Sequence, residues 1–441
     1  MNVLLRMLLI PVFLSMVFPV FAQEQTVVPR FAVNQFVVVG DTILGSARIA
    51  ALVKPFTGPD RDFGDVQQAL EALEAAYRSK GYNSVTVILP EQTMTEGSVL
   101  IKVIESKIRN ISVEGNLYFS TANIEAGFPT LEKGKSPLVH KVSQNLRVVN
   151  ENPAKKATLQ LQNGANEDEL NAVLKINDEK PWKLGLTFDN TGNKATGDYR
   201  VGFLGQYFNL FNRDHVGTIQ LATSPDKADK VASYSASYRI PIYRFGDSMD
   251  IFAGYSDVDS GTMQINLGDT TASFLSNVTS SGKGIVSGIR YNYNLRRLGA
   301  YEHKLVGGVD YRRYDQNLAM QFGDTTSIGD TTVTAHPLSL TYNGALGFER
   351  GDAGFYLGVI RNDRWGSGEQ ADFDKQPGQP PVDYTILRFG ASAGHAFFGD
   401  WQFRLLLNGQ YTGNTLVTGE QFGFGGSAGG RGYQEREVSG V

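Results

Sequence analysis

From Pro181 onward the chain alternates apolar and polar residues one by one, in segments of about ten, as a strand with one dry and one wet face must, because successive side chains point to opposite sides. Trp182, Leu184, Leu186 and Phe188 stand against Lys183, Gly185, Thr187 and Asp189. Ala232, Tyr234, Ala236, Tyr238 and Ile240 oppose Ser233, Ser235, Ser237 and Arg239, and Trp401, Phe403, Leu405, Leu407 and Tyr411 oppose Gln402, Arg404, Asn408 and Gln410. The pattern predicts about eleven strands with no helical period among them. Alternation alone fits both a soluble sandwich and a membrane barrel. The connections separate the two. They are in turn long or polar (Thr191–Gly197, Ser224–Lys230, Asp259–Gly282, Gln316–Thr334, Gly366–Asp383) and tight (Asn209–Arg213, Pro241–Gly246, Arg296–Tyr301, Gly351 with Asp352, Phe398–Asp400). Outer-membrane barrels have short periplasmic turns and longer outside loops, so residues 181–441 read as an antiparallel transmembrane β-barrel.

The N-terminus agrees with that destination. Arg6 precedes an apolar run from Met7 to Phe18 and then Val20-Phe21-Ala22, so residues 1–22 read as a signal peptide cleaved after Ala22. The run is shorter than the roughly 20 apolar residues a membrane helix needs. Cysteine is absent, which excludes disulfides, thiolate metal sites and cysteine nucleophiles. A net charge of -4 offers no basic footprint for nucleic acid.

Between Phe31 and Asp178 the order strand, helix, helix, strand, strand occurs twice, predicting two small α+β domains, residues 31–107 and 108–180. In the first, Phe31 to Val39 reads as a strand. Val66, Ala69, Leu70, Leu73, Ala76 and Tyr77 share one helix face, and Ser84 to Leu89 and Ser98 to Glu105 follow as strands. In the second, Ile108 to Glu114 is a strand and Leu138, Val142, Leu146 and Val149 stripe a helix, ahead of strands near Lys156 to Gln162 and Glu169 to Asp178.

These segments carry a resemblance. Tyr77 to Pro90 (YRSKGYNSVTVILP), with Gln92 and Gly97, resembles the first polypeptide-transport-associated (POTRA) domain of two-partner secretion transporters. Asn152-Pro153 and LQLQNG (Leu159 to Gly164) resemble parts of the second, and Trp182, Asp189 to Gly202 and Asn209 to Phe211 are similar to the start of the family's barrel. GGRGYQE, Gly429 to Glu435, is similar to its arginine-glycine-aromatic motif on a loop folded back into the barrel. The resemblance implies that Arg431 pairs with a carboxylate of the inner wall, that Gly430 and Gly432 let the backbone turn beside it, and that Tyr433 packs in the lumen. It also implies about sixteen strands, so that a chain ending at Val441 with about eleven is an incomplete barrel, an odd count that would close parallel against the even, antiparallel rule.

The function implied is export: a secreted partner exoprotein of haemolysin or adhesin type meets the POTRA domains in the periplasm and crosses the bacterial outer membrane through the barrel. The polar face would line its path, with Lys183, Asp189, Arg239, Arg312 and Arg404 facing the lumen. Outer-membrane lipid is the other partner. An assembly factor for other barrel proteins and a passive porin are the alternatives. No enzyme, cofactor or metal is expected. Gly134-Lys135-Ser136 lacks the upstream glycine of a phosphate loop, and five scattered histidines, His395 among them, have no metal-ligand spacing.

Overall fold

The computed structural model describes residues 29–441 apart from 42, 94–95, 191, 193–196, 258–261, 267–276, 282, 323–324, 367, 398–400, 426–437 and 441. Residues 1–22, expected to be a signal peptide, Phe398–Asp400, expected to be a tight connection, and Gly430, Arg431, Gly432 and Tyr433 fall outside the described residues. The chain forms two compact units: described residues up to Ala76 with Val87–Val103, and Tyr77–Thr86 with Ile104 onward.

The first domain runs β1 (Phe31–Val33), β2 (Gln35–Val39), α1 (Ser46–Val53), β3 (Gly58–Arg61), α2 (Phe63–Ser79), β4 (Val85–Ile88) and β5 (Ser98–Glu105). The strand expected over Phe31 to Val39 is two: β1 pairs with β3, whereas β2 lies parallel to β5 in a sheet ordered β2-β5-β4. Val33, Val66 and Val99 form a core with Phe36, Leu70 and Leu89 against it. Gln92 mimics a strand residue: its carboxamide receives the Leu100 N–H at 2.7 Å and donates to the Leu100 carbonyl at 2.8 Å.

The second domain repeats the plan with β6 (Lys107–Glu114), α3 (Thr121–Ala126), α4 (Val139–Asn150), β7 (Lys155–Asn163) and β8 (Glu169–Asp178). Its sheet is ordered β6-β8-β7, with β6 parallel and β7 antiparallel to β8. One backbone detail marks the repetition. Gly40 after β2 and Gly115 after β6 both sit at positive φ, 88° and 84°, where an added Cβ would strike the carbonyl oxygen of Val103 or of Ile176 on the central strand. Only glycine tolerates both the conformation and that approach.

The large sheet comprises β9 (Trp182–Asp189), β10 (Arg200–Leu210), β11 (His215–Thr223), β12 (Ala232–Ile242), β13 (Asp247–Asp257), β16 (Lys283–Asn294), β17 (Tyr301–Phe322), β18 (Thr325–Ala335), β19 (Leu338–Phe348), β20 (Gly351–Asn362), β21 (Tyr384–Ala396) and β22 (Gln402–Tyr411). β14 (Thr262–Asn266) and β15 (Asn277–Ser281) form a separate hairpin, as do β23 (Phe422–Phe424) and β24 (Val438–Gly440). All pairings in the large sheet are antiparallel between neighbours in the order β9 to β22, except that β18 and β19 both pair with β17. The fold is the expected one: α+β elements ahead of a large antiparallel sheet.

Three connections differ from expectation. Gln316–Thr334, read as a loop, is the hairpin of β17 and β18, where Leu318, Met320 and Phe322 alternate along the first strand and the second is threonine-rich, a composition that suits a strand. Asp259–Gly282 holds the β14–β15 hairpin. Gly351 and Asp352 begin β20, so the tight turn lies two residues earlier at Glu349 and Arg350. The loop Gly366–Asp383 carries the single turn α5 (Gln370–Phe373).

The sheet is inverted relative to a water-soluble one. On β17, outward Val309 is 46% exposed while inward Asp310 is 2% exposed, and Ile219, Ile251, Ile289, Leu340 and Leu357 stand outward in the same way. Large aromatic residues gather near both strand ends: Trp182, Phe348, Phe397 and Trp401 at the end nearer the second domain, and Phe188 stacked on Tyr199, Tyr234 on Tyr255, and Trp365 at the other. From Trp182 to Phe188 the strand spans about 20 Å at its usual rise, close to the apolar band of about 25 Å between aromatic girdles. Among the described residues no helix is long and apolar enough to cross a membrane.

Candidate functional site: the inner face and the segment lying on it

Directly opposed residues share a face of a sheet, so the register fixes which side chains stand together. Lys183, Gln206, Thr218, Ser237, Phe252, Gly288 and Asp310 follow one another across seven strands. One step along, Val216, Arg239, Asp250, Arg290 and Gly308 do the same. Asp189 lies three alternations from Lys183, and Arg404 opposite Gly394, which opposes Asp352 and, through it, Gly347. Arg312 is two residues beyond Asp310. Lys183, Asp189, Arg239, Arg312 and Arg404 thus share one face of the sheet. Their states differ. Lys183 and Arg404 are exposed, but Arg239 and Arg312 are buried in ion pairs, a bonding that alternation in the sequence does not show.

The pairs form a row of alternating sign. Arg239 donates to Glu151, the residue that caps α4, at 2.5 Å and lies 3.7 Å from Asp250. Asp250 opposes Arg290, which grips both oxygens of Asp310, one at 2.9 Å. Arg312 reaches Asp310 at 2.6 Å and then Glu420 through both carboxylate oxygens at 2.7 and 2.8 Å. Arg312 gives the single Nη1 to both oxygens of Glu420, whereas Arg290 and Asp310 meet two-pronged, two nitrogens on two oxygens, the geometry that makes such bonds strong and directional. Glycine makes room for it. A Cβ on Gly288 would run into the Asp310 carboxylate and sit 2.8 Å from the Val309 carbonyl oxygen. Gly288→Ala is therefore expected to destabilise the folded barrel by about 1–3 kcal/mol through overpacking, read as a lower urea midpoint.

Glu420 follows β22 at the end of a short 3-10 turn, Thr418–Glu420. It is fully buried. Besides Arg312 it accepts from Tyr314 at 2.8 Å, Tyr384 at 3.2 Å and Arg388 at 3.4 Å. Leu416 and Val417 before it pack with Tyr314, Val333, Ile360, Phe373, Val382, Tyr384 and Ile386. Sequence reading missed Glu420 because it sits in an irregular stretch with no periodicity to give it a face.

A second buried cluster joins the second domain to the strand turns beside it. Lys155 on β7, with its side chain fully buried, donates to Asp214 at 2.5 Å and to Asn123 at 3.2 Å, and its ammonium lies 4.8 Å from the Phe119 ring centre. Burial pushes its pKa below the usual lysine range, and Asp214 and Asp178 pull it back in part. Tyr243, from the next turn, also donates to Asp214. Asp214 ends a turn in which Phe211, Asn212 and Asp214 all hold positive φ, 58°, 55° and 61°, a conformation non-glycine residues rarely adopt unless surroundings enforce it. Asn145 donates to the Tyr243 carbonyl at 2.5 Å and Asn152 to that of Phe208 at 2.7 Å. Phe208, Val216 and Tyr243 complete the core of the second domain.

Residues 170–441 match the sequence profile of the haemolysin secretion/activation protein ShlB/FhaC/HecB family, and residues 31–106 match the ShlB-type POTRA domain. The chain belongs to this family. Among curated relatives of the haemolysin secretion family, the heme/hemopexin transporter protein HuxB of Haemophilus influenzae is 23% identical over 399 residues, covering 89% of this chain and 66% of that relative. The outer membrane transporter CdiB of Dickeya dadantii is 22% identical over 418 residues, 93% of this chain and 70% of the relative. The chain thus spans about two thirds of the length of these relatives. CdiB from Escherichia coli has the same fold, with a TM-score of 0.69 at 21% identity over 96% of this chain and 76% of that one. CdiB from Acinetobacter baumannii gives 0.65 at 13% identity over 93% and 74%. As a member of the haemolysin secretion family the protein resides in the bacterial outer membrane, with POTRA domains on the periplasmic side.

Proposed function

We propose that this protein exports a secreted partner exoprotein, of haemolysin or adhesin type, through the space enclosed by its large sheet, and that it performs no catalysis. The observation that carries the reading is the inverted sheet, apolar outward and charged inward, joined through buried ion pairs to the second α+β domain. An unfolded partner would first add an extended segment to a free sheet edge, where main-chain hydrogen bonds supply affinity with little sequence demand. β2 and β4 border the first sheet, and β2 exposes Val37 and Val39 beside its edge. The partner would then pass the inward face. There Lys183 and Arg404 meet it as exposed charges, while Arg239 and Arg312, held by carboxylates, keep the wall in shape. Asp189 stands on the same face, and folding of the partner outside would give the passage its direction. Arg431, between Gly430 and Gly432 and beside Tyr433, would add a further tie between loop and wall.

The test is deletion of Phe31 to Glu105 from the full-length protein in cells making the partner. Secretion is expected to fall to background while the barrel still inserts, seen as heat-modifiable migration. Undiminished secretion would defeat the docking step.

A further inference from the structure

We propose that Glu420 is a positioning residue of the conduit: its carboxylate latches the segment Thr412–Phe424 onto the inward face, and breaking that latch lets the segment leave. The proposal rests on the export reading for its purpose but not for its geometry. Four side chains from two strands converge on this one carboxylate, Arg312 and Tyr314 from β17 and Tyr384 and Arg388 from β21. The backbone is fitted as closely as the side chain, since a Cβ on Gly419 would fall within the Tyr314 ring. Gln410 holds the Glu420 carbonyl at 3.0 Å.

The chemistry suits a contact that is made and released. Replacing a buried ion pair by apolar residues of equal volume is often neutral or stabilising, so stability alone does not call for a carboxylate here. Leu416 and Val417 expose apolar surface when the segment leaves, which favours the seated state. Glu420 and Arg312 exchange each other for water, and Arg312 keeps Asp310 as a partner when Glu420 departs. Release therefore leaves no lone buried charge on the wall.

The chain has no cysteine of its own, so one introduced thiol reports on one place. Val417→Cys puts that thiol on the latched segment, at a site 2% exposed, and Val216→Cys puts it in the core beside the second domain, at a site 3% exposed. Each is made alone, in purified full-length protein, and its reaction with a water-soluble maleimide is timed. Adding Glu420→Gln is expected to speed labelling of the Val417→Cys thiol by about tenfold or more, the scale of losing a charge-assisted bond, without changing that of the Val216→Cys thiol. Bilayer conductance without partner should rise in parallel. Tyr384→Phe, which removes one donor only, should give a smaller acceleration and serves if Glu420→Gln does not fold. Unchanged labelling at position 417 in both variants, or equal acceleration at position 216, would overturn the proposal. Neither readout involves secretion, so a protein that exports nothing would still decide whether Glu420 is the latch.

Discussion

Lys155→Met is expected to lower the stability of the folded protein by about 3–5 kcal/mol, the usual cost of stripping one partner from a buried ion pair. Methionine fills nearly the same volume against Phe119 but leaves Asp214 with its charge buried and, among the described residues, the Tyr243 hydroxyl as its remaining side-chain donor. The loss should appear as a fall in the urea midpoint followed by the fluorescence of Trp182, which begins β9 just past the joint. Adding Asp214→Asn should recover most of it, because a neutral amide can still receive the tyrosine proton. Equal losses in the single and double variants would mean that the two groups do not act as a pair.

Ile251→Arg is the second large effect. Ile251 sits midway along β13 and stands outward, in the zone where the sheet meets hydrocarbon. A charge at the bilayer midplane of a barrel costs about 2–4 kcal/mol. Gln220→Lys, two strands away on the inward face, should change the midpoint little. Measuring both after refolding into lipid vesicles distinguishes the two faces. If Ile251→Arg were harmless and Gln220→Lys costly, the outward face would not be the lipid face.

The sequence pattern carried the sheet because a two-residue period survives any register and any loop. Trp182 through Phe188 and Trp401 through Tyr411 could be assigned a face without knowing their neighbours. The β17–β18 hairpin is hidden by composition: Gly323-Asp324 and Gly329-Asp330 make the stretch read as a loop although Leu318, Met320 and Phe322 alternate. The ion pairs were illegible for another reason. Glu151 and Arg239, or Lys155 and Asp214, are brought together only by the docking of the second domain, and nothing near either residue announces the other. Arg239 and Arg312 are each held by carboxylates, which alternation in the sequence does not show. Among the described residues the contact that fixes the loop uses Glu420, ahead of the glycine-rich stretch in which Arg431 is the conspicuous charge.

The cluster around Lys155 also dictates how such proteins can be recombined. A graft that swaps periplasmic modules between relatives would naturally be cut at Pro181, where β8 gives way to β9. That cut would part Lys155 from Asp214 and Tyr243 and fill half of a matched joint with a stranger. Cutting instead ahead of Lys107 keeps the second module with its own turns, so hybrids with new cargo preference should be sought by exchanging the first module alone.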